Sequence, residues 1–185
     1  MRLKKLGKFC SFGLFVNTTV VRNFMRQSLL FIMLGLSLSG CGQKIRETFL
    51  VPAGFEGRIN VIFNQPSSPP IPVAEGRKVY NIPTDGILVT SSGLEDGMID
   101  QEFFYVDSLG KRTAIPVLED GEKLGKEPKV VYKGANGVYG NSSDKNPLEF
   151  TEVIIASEGS EQKIFNPQAL TTFQTAVKKK AGRSL

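Results

Sequence analysis

Cys41 has the most distinctive chemical surroundings in this chain of 185 residues. Leu38 ends an apolar run over residues 29–38, and only Ser39 and Gly40 separate that run from Cys41. A cysteine thiol can be alkylated, and two small residues before it leave the backbone open to a peptidase. The run is well short of the ~20 residues that a membrane-spanning helix needs, and it has the length of a signal-peptide core.

This pattern resembles the processing site of bacterial lipoproteins, in which a leucine and two small residues precede the cysteine. The resemblance implies that residues 1–40 are a cleaved signal peptide region and that Cys41 carries lipid, palmitate included. Leu38, Ser39 and Gly40 would then be recognised by the signal peptidase. The sequence from Met25 onwards is itself a compact signal peptide. Translation therefore starts either at Met1 or at Met25, and we prefer Met25. Two alternatives remain open, a buried helix with a chance cysteine and an uncleaved membrane anchor.

Composition removes several kinds of chemistry. The chain has no histidine and no tryptophan, and its second cysteine, Cys10, lies within residues 1–40. We therefore expect no disulfide, no histidine-based triad and no cysteine or histidine metal site in the mature chain. Six of the 23 basic residues and none of the 18 acidic residues lie in residues 1–40. The rest of the chain is thus slightly acidic, which argues against nucleic-acid binding; we expect no cofactor.

The remaining chain predicts a mainly β fold, an antiparallel β-sandwich-like domain with one C-terminal α-helix. Residues 41–47 form a short polar tether, and residues 48–185 form one β-rich domain. Asn166 and Pro167 are typical of a helix start, which predicts a helix over residues 167–181. Strands are predicted at residues 48–51, 58–64, 77–82, 87–90, 101–107, 111–117, 129–132 and 150–156, with a long loop over residues 134–146.

Three short motifs carry a family resemblance. Residues 50–57 read Leu-Val-Pro-Ala-Gly-Phe-Glu-Gly, residues 82–88 read Ile-Pro-Thr-Asp-Gly-Ile-Leu, and residues 105–107 read Tyr-Val-Asp. Together they resemble a family of small bacterial lipoproteins with an uncharacterised domain of unknown function. The resemblance covers residues 47–113. It implies a β fold and no particular activity, since the motif residues are turn formers and core residues.

Several residues could form sites, and each has a plainer interpretation. Asp96, Asp100 and Glu102, with Glu95 and Asp107 nearby, are oxygen ligands that could hold calcium, although an acidic solvated loop is commoner. Residues 134–140 look like a phosphate-binding loop, but no strand–glycine–helix pattern surrounds them. The candidate nucleophiles do not lie in a Gly-x-Ser-x-Gly elbow; they are Ser92, Ser142 and Ser143.

The last helical turn and the aromatic residues also have two interpretations each. Lys178–Lys180 and Arg183 could contact anionic lipid headgroups, or they could be ordinary charges at a helix end. The aromatic side chains could line a ligand slot, but we expect them to fill the core; they are Tyr80, Phe103, Phe104, Tyr105 and Tyr132.

Taken together, the sequence favours a lipid-anchored protein of the bacterial cell envelope that is not an enzyme and binds an envelope protein or polymer. An alternative is a hydrolase of envelope polymers that uses Asp and Glu for acid–base chemistry, with one carboxyl of raised pKa. A third possibility is a structural spacer. An aspartate directly after the lipidated cysteine would signal retention in the inner membrane. This position is Gly42, which favours the outer membrane.

Overall fold

The computed structural model of the protein describes residues 44–140 and 147–182, which lie within one compact unit, Gly42–Leu185. The predicted signal peptide region and Cys41 lie outside the described residues. The described part contains nine strands and two helices. These are β1 (Lys44–Pro52), β2 (Gly57–Ile62), β3 (Val73–Ala74), β4 (Arg77–Asn81), β5 (Ile87–Val89), β6 (Met98–Val106), β7 (Arg112–Ala114), β8 (Lys129–Tyr139), β9 (Leu148–Ala156), α1 (Glu161–Ile164) and α2 (Pro167–Lys180).

The strands form two sheets that share one hydrophobic core. The first sheet has the order β3-β4-β1-β6-β7 and the second has the order β5-β2-β9-β8. Alternate residues along the central strands point into the core because side chains alternate between the faces of a sheet, whereas the edge strands β3 and β7 are exposed. Phe49 of β1 stacks on Tyr80 and Phe103 of the neighbouring strands, and Val61 and Val153 meet them from the second sheet. The predicted mainly β, sandwich-like class is confirmed.

The predicted antiparallel pairing is wrong for the centre of the first sheet and for the β5 edge of the second, so both sheets are mixed. β1 pairs in parallel with β4 and β6, and β2 pairs in parallel with β5. The chain leaves β1 for the second sheet through β2 and returns by way of residues 65–72 to β4, so that β4 runs in the direction of β1. Alternation of apolar residues reports which face is buried and carries no information about strand direction.

The outer face of the second sheet is covered by the C-terminal helices. Asn166 caps α2 by accepting a hydrogen bond of 2.8 Å from the Gln168 amide, as the sequence predicts. Val177 of α2 is fully buried against Ile62, Ile87 and Leu148. None of the helices in the described ranges is long and apolar enough to cross a membrane.

Several boundaries, and two short elements, differ from the sequence prediction. β1 begins at Lys44, so the second half of the predicted tether is strand. Residues 134–139 belong to β8 rather than to a loop, and residues 141–146 lie outside the described part. The short β3 and α1 were not predicted, because two to four residues are too few for a periodic pattern.

Candidate functional site

The three motifs that carry the family resemblance meet where β1 ends. Phe55 lies in the turn from β1 to β2, and the Tyr105 hydroxyl donates a hydrogen bond of 2.8 Å to its carbonyl. Gly86 of the second motif has a φ of 74°, which favours glycine. A Cβ at Gly86 would lie 3.0 Å from the Phe55 ring and would collide with the Arg58 carbonyl. The motifs therefore fix the backbone at the carboxyl end of β1.

An open groove of about 320 Å³ lies at the same end, between the start of β2 and the two helices. Ile164, Ala169 and Phe173 supply apolar lining, and Arg58 and Lys163 supply positive charge. A largely apolar cleft with a few charged groups is the usual character of a binding site. We call it the α1–α2 groove. The sequence analysis missed it, because its lining comes from segments a hundred residues apart.

Arg58 contributes a buried hydrogen-bond donor to the α1–α2 groove. Its Nη1 donates a hydrogen bond of 3.0 Å to Glu152 Oε1, and its guanidinium carbon lies 5.6 Å from the centre of the Phe165 ring. Its Nε is buried and has no hydrogen-bond partner among the described residues. A buried donor without a partner is costly. The Arg58 Nε is therefore a donor that a ligand carboxylate or phosphate could accept from if the neighbouring side chains move aside.

Glu56 is the acidic group of the groove, and its pKa is lowered. Burial opposes ionisation of Glu56, but hydrogen bonds from the Ser160 and Ser157 hydroxyls and the Ser157 amide outweigh it. Burial, together with the Glu56 carboxylate, raises the pKa of Tyr105 to about 12. Glu56 is thus a fixed anion that ties the start of β2 to the segment before α1.

The acidic residues proposed as a metal site do not converge. Asp100 Oδ2 lies 3.3 Å from Arg77 Nη1 and 3.4 Å from Lys44 Nζ, and Glu102 Oε2 lies 3.4 Å from Arg77 Nε. Asp96 lines a separate cavity near the start of β1. In residues 44–140 and 147–182 no three acidic or cysteine side chains come together as metal ligands. Asp100 and Glu102 serve instead as acceptors for arginine and lysine.

The proposed phosphate loop is a strand with a packing role for one glycine. Gly137 of β8 faces Phe150 of β9, and a Cβ at Gly137 would lie 2.5 Å from the Phe150 ring. The ring stacks on Tyr139 with its centre 4.3 Å away. Gly137 therefore leaves space for the Phe150 ring, and residues 134–139 form a strand rather than the turn that cradles a phosphate.

Two of the candidate residues, Ser92 and Lys180, have structural partners. The Ser92 hydroxyl accepts a hydrogen bond of 2.9 Å from the Ile71 amide. Lys180 Nζ donates to Asp85 Oδ2 at 2.6 Å and to the Ile87 carbonyl at 2.8 Å, which joins α2 to β5. Ser142, Ser143 and Arg183 lie outside the described residues.

The aromatic residues mostly fill the core as predicted. Tyr80 and Phe103 are buried, whereas Phe104 and Tyr105 are partly buried. Tyr132 was predicted for the core and is 43% exposed on β8. The irregular pairing of β8 with β9, which shifts between Val130 and Tyr132, breaks the simple alternation of faces there.

Comparisons with known proteins bear on family and fold. A family model described as "Family of unknown function (DUF6843)" matches residues 43–164. A 2.75 Å crystal structure of a "Putative Lipoprotein from Bacillus anthracis" is similar, with a TM-score of 0.54 and 17% identity, over 77% of this chain and 100% of that chain. At that identity the likeness concerns the fold. No curated protein matches the chain. Because the family model covers more than half of the sequence, the chain belongs to the DUF6843 family, a family of unknown function.

Proposed function

We propose that this protein is a lipid-anchored binding module of the bacterial cell envelope and that it is not an enzyme. The observation that carries the proposal is Cys41, placed behind two small residues and an apolar run of signal-peptide length. The name of the similar Bacillus anthracis protein supports it. β1 begins at Lys44, so only Gly42 and Gln43 separate the folded domain from the proposed lipid. Gly42 favours the outer membrane where a bacterium has two, and membrane fractionation tests that finer assignment.

The α1–α2 groove is the proposed contact surface for an envelope partner. It lies at the carboxyl end of β1, and the nine residues of β1 separate it from the lipid by about 26 Å at ~3.3 Å per residue. A partner would therefore meet the groove from the side away from the membrane. Arg58 and Lys163 beside the apolar Phe173 favour a protein segment that carries a carboxylate next to an apolar side chain.

Among residues 44–140 and 147–182, no carboxyl group with a shifted pKa favours the alternative of an acid–base hydrolase. Such an enzyme needs one carboxyl whose pKa is raised, so that it stays protonated and can donate a proton. The carboxyl pKa values that depart from the ordinary ones, those of Glu56, Asp85, Asp100 and Glu122, are all lowered. Their partners are lysine, arginine, serine and backbone amides, which stabilise the ionised form.

Labelling with radioactive palmitate tests the anchor. The unchanged protein should be labelled and processed, whereas Cys41→Ala should be neither labelled nor cleaved. Cys10→Ala is the matched control, because it removes the other cysteine and should leave labelling and processing unchanged. Normal processing of Cys41→Ala, or loss of label in Cys10→Ala alone, would overturn the proposed anchor.

Photo-crosslinking in cells tests the binding surface. A photoreactive amino acid at Ala169, in the groove, should give one discrete adduct, and Lys163→Glu should abolish it by placing an anion beside the partner's carboxylate. The same probe at Leu109, which is 91% exposed on the other sheet, is the control. An adduct with glycan chains would assign a polymer partner instead. The same adduct at Leu109, or no adduct that depends on Lys163, would contradict the groove as the contact surface.

A further inference from the structure

Three exposed apolar side chains lie on β3 and β6, towards the end of the first sheet at which β1 starts. Val73 is 66% exposed, Met98 is 72% exposed and Ile99 is 37% exposed. Met98 lies beside Lys44 and Ile99 beside Ile45 in the register of β1 and β6. Val73 of the edge strand lines a cavity of about 430 Å³ together with Lys44 and Ile45. We call Val73, Met98 and Ile99 the anchor-side rim. Met98 and Ile99 point to opposite faces of β6 and Val73 lies on β3, so the three side chains surround this end of the sheet. Exposed apolar surface at this end is favoured by contact with lipid rather than with water.

We propose that the anchor-side rim lies in the headgroup layer of the membrane that holds the lipid on Cys41. This inference rests on the proposed anchor and adds a second, noncovalent contact to it. A covalent lipid alone would leave the domain free to tilt, whereas an apolar rim beside the anchor would fix its orientation.

Chain length places Met98 and Ile99, at the start of β6, near the membrane. Three residue steps separate Cys41 from Lys44, and at ~3.6 Å per step the two Cα atoms are at most about 11 Å apart. The headgroup layer is roughly 5–8 Å thick on each side of the hydrocarbon. Met98, which pairs with Lys44, therefore lies within the headgroup layer or a few ångströms outside it when the Cys41 sulfur lies at the top of the hydrocarbon.

The charges near the rim favour apolar contact over attraction to anionic lipid. Lys44 and Arg46 both face Asp100, at 3.4 Å and 3.8 Å, and Lys78 pairs with Glu95 at 2.9 Å. These groups largely cancel, so binding should depend little on anionic lipid or on salt.

The basic residues of α2, the other candidate for headgroup contact, lie elsewhere. Lys180 is bound to Asp85 in the turn after β4, and Asn81 at the end of β4 pairs with Leu50. That turn is at the carboxyl end of β1, away from Lys44. Val73, Met98 and Ile99 are thus favoured as the lipid contact over Lys178–Lys180.

Depth-dependent quenching in vesicles tests the proposal on the mature, lipidated protein. A polarity-sensitive fluorophore is attached at Met98→Cys or, as the control, at Leu109→Cys, which follows the opposite end of the same strand. In phosphatidylcholine vesicles that contain headgroup nitroxide lipids, the label at position 98 should shift to the blue and be quenched. The label at position 109 should behave as it does in water. Adding phosphatidylglycerol or 0.5 M salt, a concentration at which the Debye length is only roughly 4–5 Å, should not change this difference.

Further outcomes decide between the two proposals. Val73→Asp, added to the label at position 98, should reduce the quenching while the thermal unfolding midpoint stays unchanged, since Val73 is an exposed edge residue. If the mass of the protein shows the acyl chains and the position 98 label stays unquenched, the rim proposal fails and the anchor stands. If quenching disappears in salt, the apolar contact is wrong. If no acyl chain is present on Cys41, both proposals fail.

Discussion

Replacing Arg77 by methionine removes the group that joins the three central strands of the first sheet on its outer face. Arg77 is only 7% exposed. Its guanidinium donates hydrogen bonds to the Glu47 carbonyl at 2.7 Å, to the Thr48 hydroxyl at 2.9 Å and to the Asp100 carbonyl at 3.0 Å. Methionine fills a similar volume and donates nothing, so these acceptors on β1 and β6 lose their partner.

The expected loss of stability is about 3 kcal/mol. Removing one partner of a buried ion pair costs about 3–5 kcal/mol, and hydrogen bonds from a charged donor contribute about 1.5–3 kcal/mol each. The lower part of that range applies, because the paired carboxylates are partly exposed and can turn towards water after the substitution. At a urea slope of about 2 kcal/mol/M, the unfolding midpoint should fall by roughly 1.5 M. The thermal midpoint should fall by roughly 10 °C.

Urea and thermal unfolding followed by circular dichroism measure this loss, and Lys78→Met on the same strand is the matched control. Lys78 contacts Glu95, which is 55% exposed, so its removal should cost at most about 1 kcal/mol. If Arg77→Met lowers the midpoint no more than Lys78→Met, Arg77 does not hold the sheet together as described.

Three further substitutions test other parts of the fold. Gly137→Ala should cost about 1–3 kcal/mol, because its Cβ would overlap the Phe150 ring. Glu56→Gln should weaken the acid sensitivity of folding. The folded pKa of Glu56 lies below the ordinary 4.5, so its contribution is present at neutral pH and is lost as the pH falls through the lowered pKa. Lys180→Met should cost less than about 1 kcal/mol, since its pair with Asp85 is exposed.

Each of these predictions has a clear contrary result, measured by urea unfolding. Gly125→Ala is the control for Gly137, because a Cβ there meets no atom within 4 Å; equal costs at both sites would contradict the packing argument. The free energy of unfolding should fall less between pH 7 and pH 3 in Glu56→Gln than in the unchanged protein. An equal fall in both proteins would show that Glu56 is not held by Ser157 and Ser160. A large loss in Lys180→Met would mean that the pair with Asp85 is more than a surface contact.

The parts of the fold that were predictable are those set by neighbouring residues. The Asp107 carboxylate accepts hydrogen bonds of 2.9 Å from the Leu109 and Lys111 amides, and Gly110 has a φ of 81°. This is the turn that the sequence predicts after β6. The start of α2 at Pro167 is local in the same sense, because Asn166 caps it.

The parts that were not predictable depend on residues far apart in the chain. Arg58 and Glu152 form their ion pair across 94 residues, and each looks like an ordinary solvent-facing strand residue. Strand direction is also invisible locally, because it follows from the path of the chain between sheets. The α1–α2 groove is lined by residues that lie far apart in the chain, so no sequence pattern marks it. The processing site at Cys41 can be recognised because it is a short covalent signal, and its lipid stays a prediction.

Mass spectrometry of the protein purified from its native membrane tests the lipid anchor directly. The intact mass and the mass of the N-terminal peptide are both measured. The proposal predicts an N-terminus at Cys41 with a diacylglyceryl group on the sulfur. A protein that retains the residues directly before Cys41 and carries no acyl mass would contradict the proposed lipid anchor and, with it, the orientation proposed for the domain.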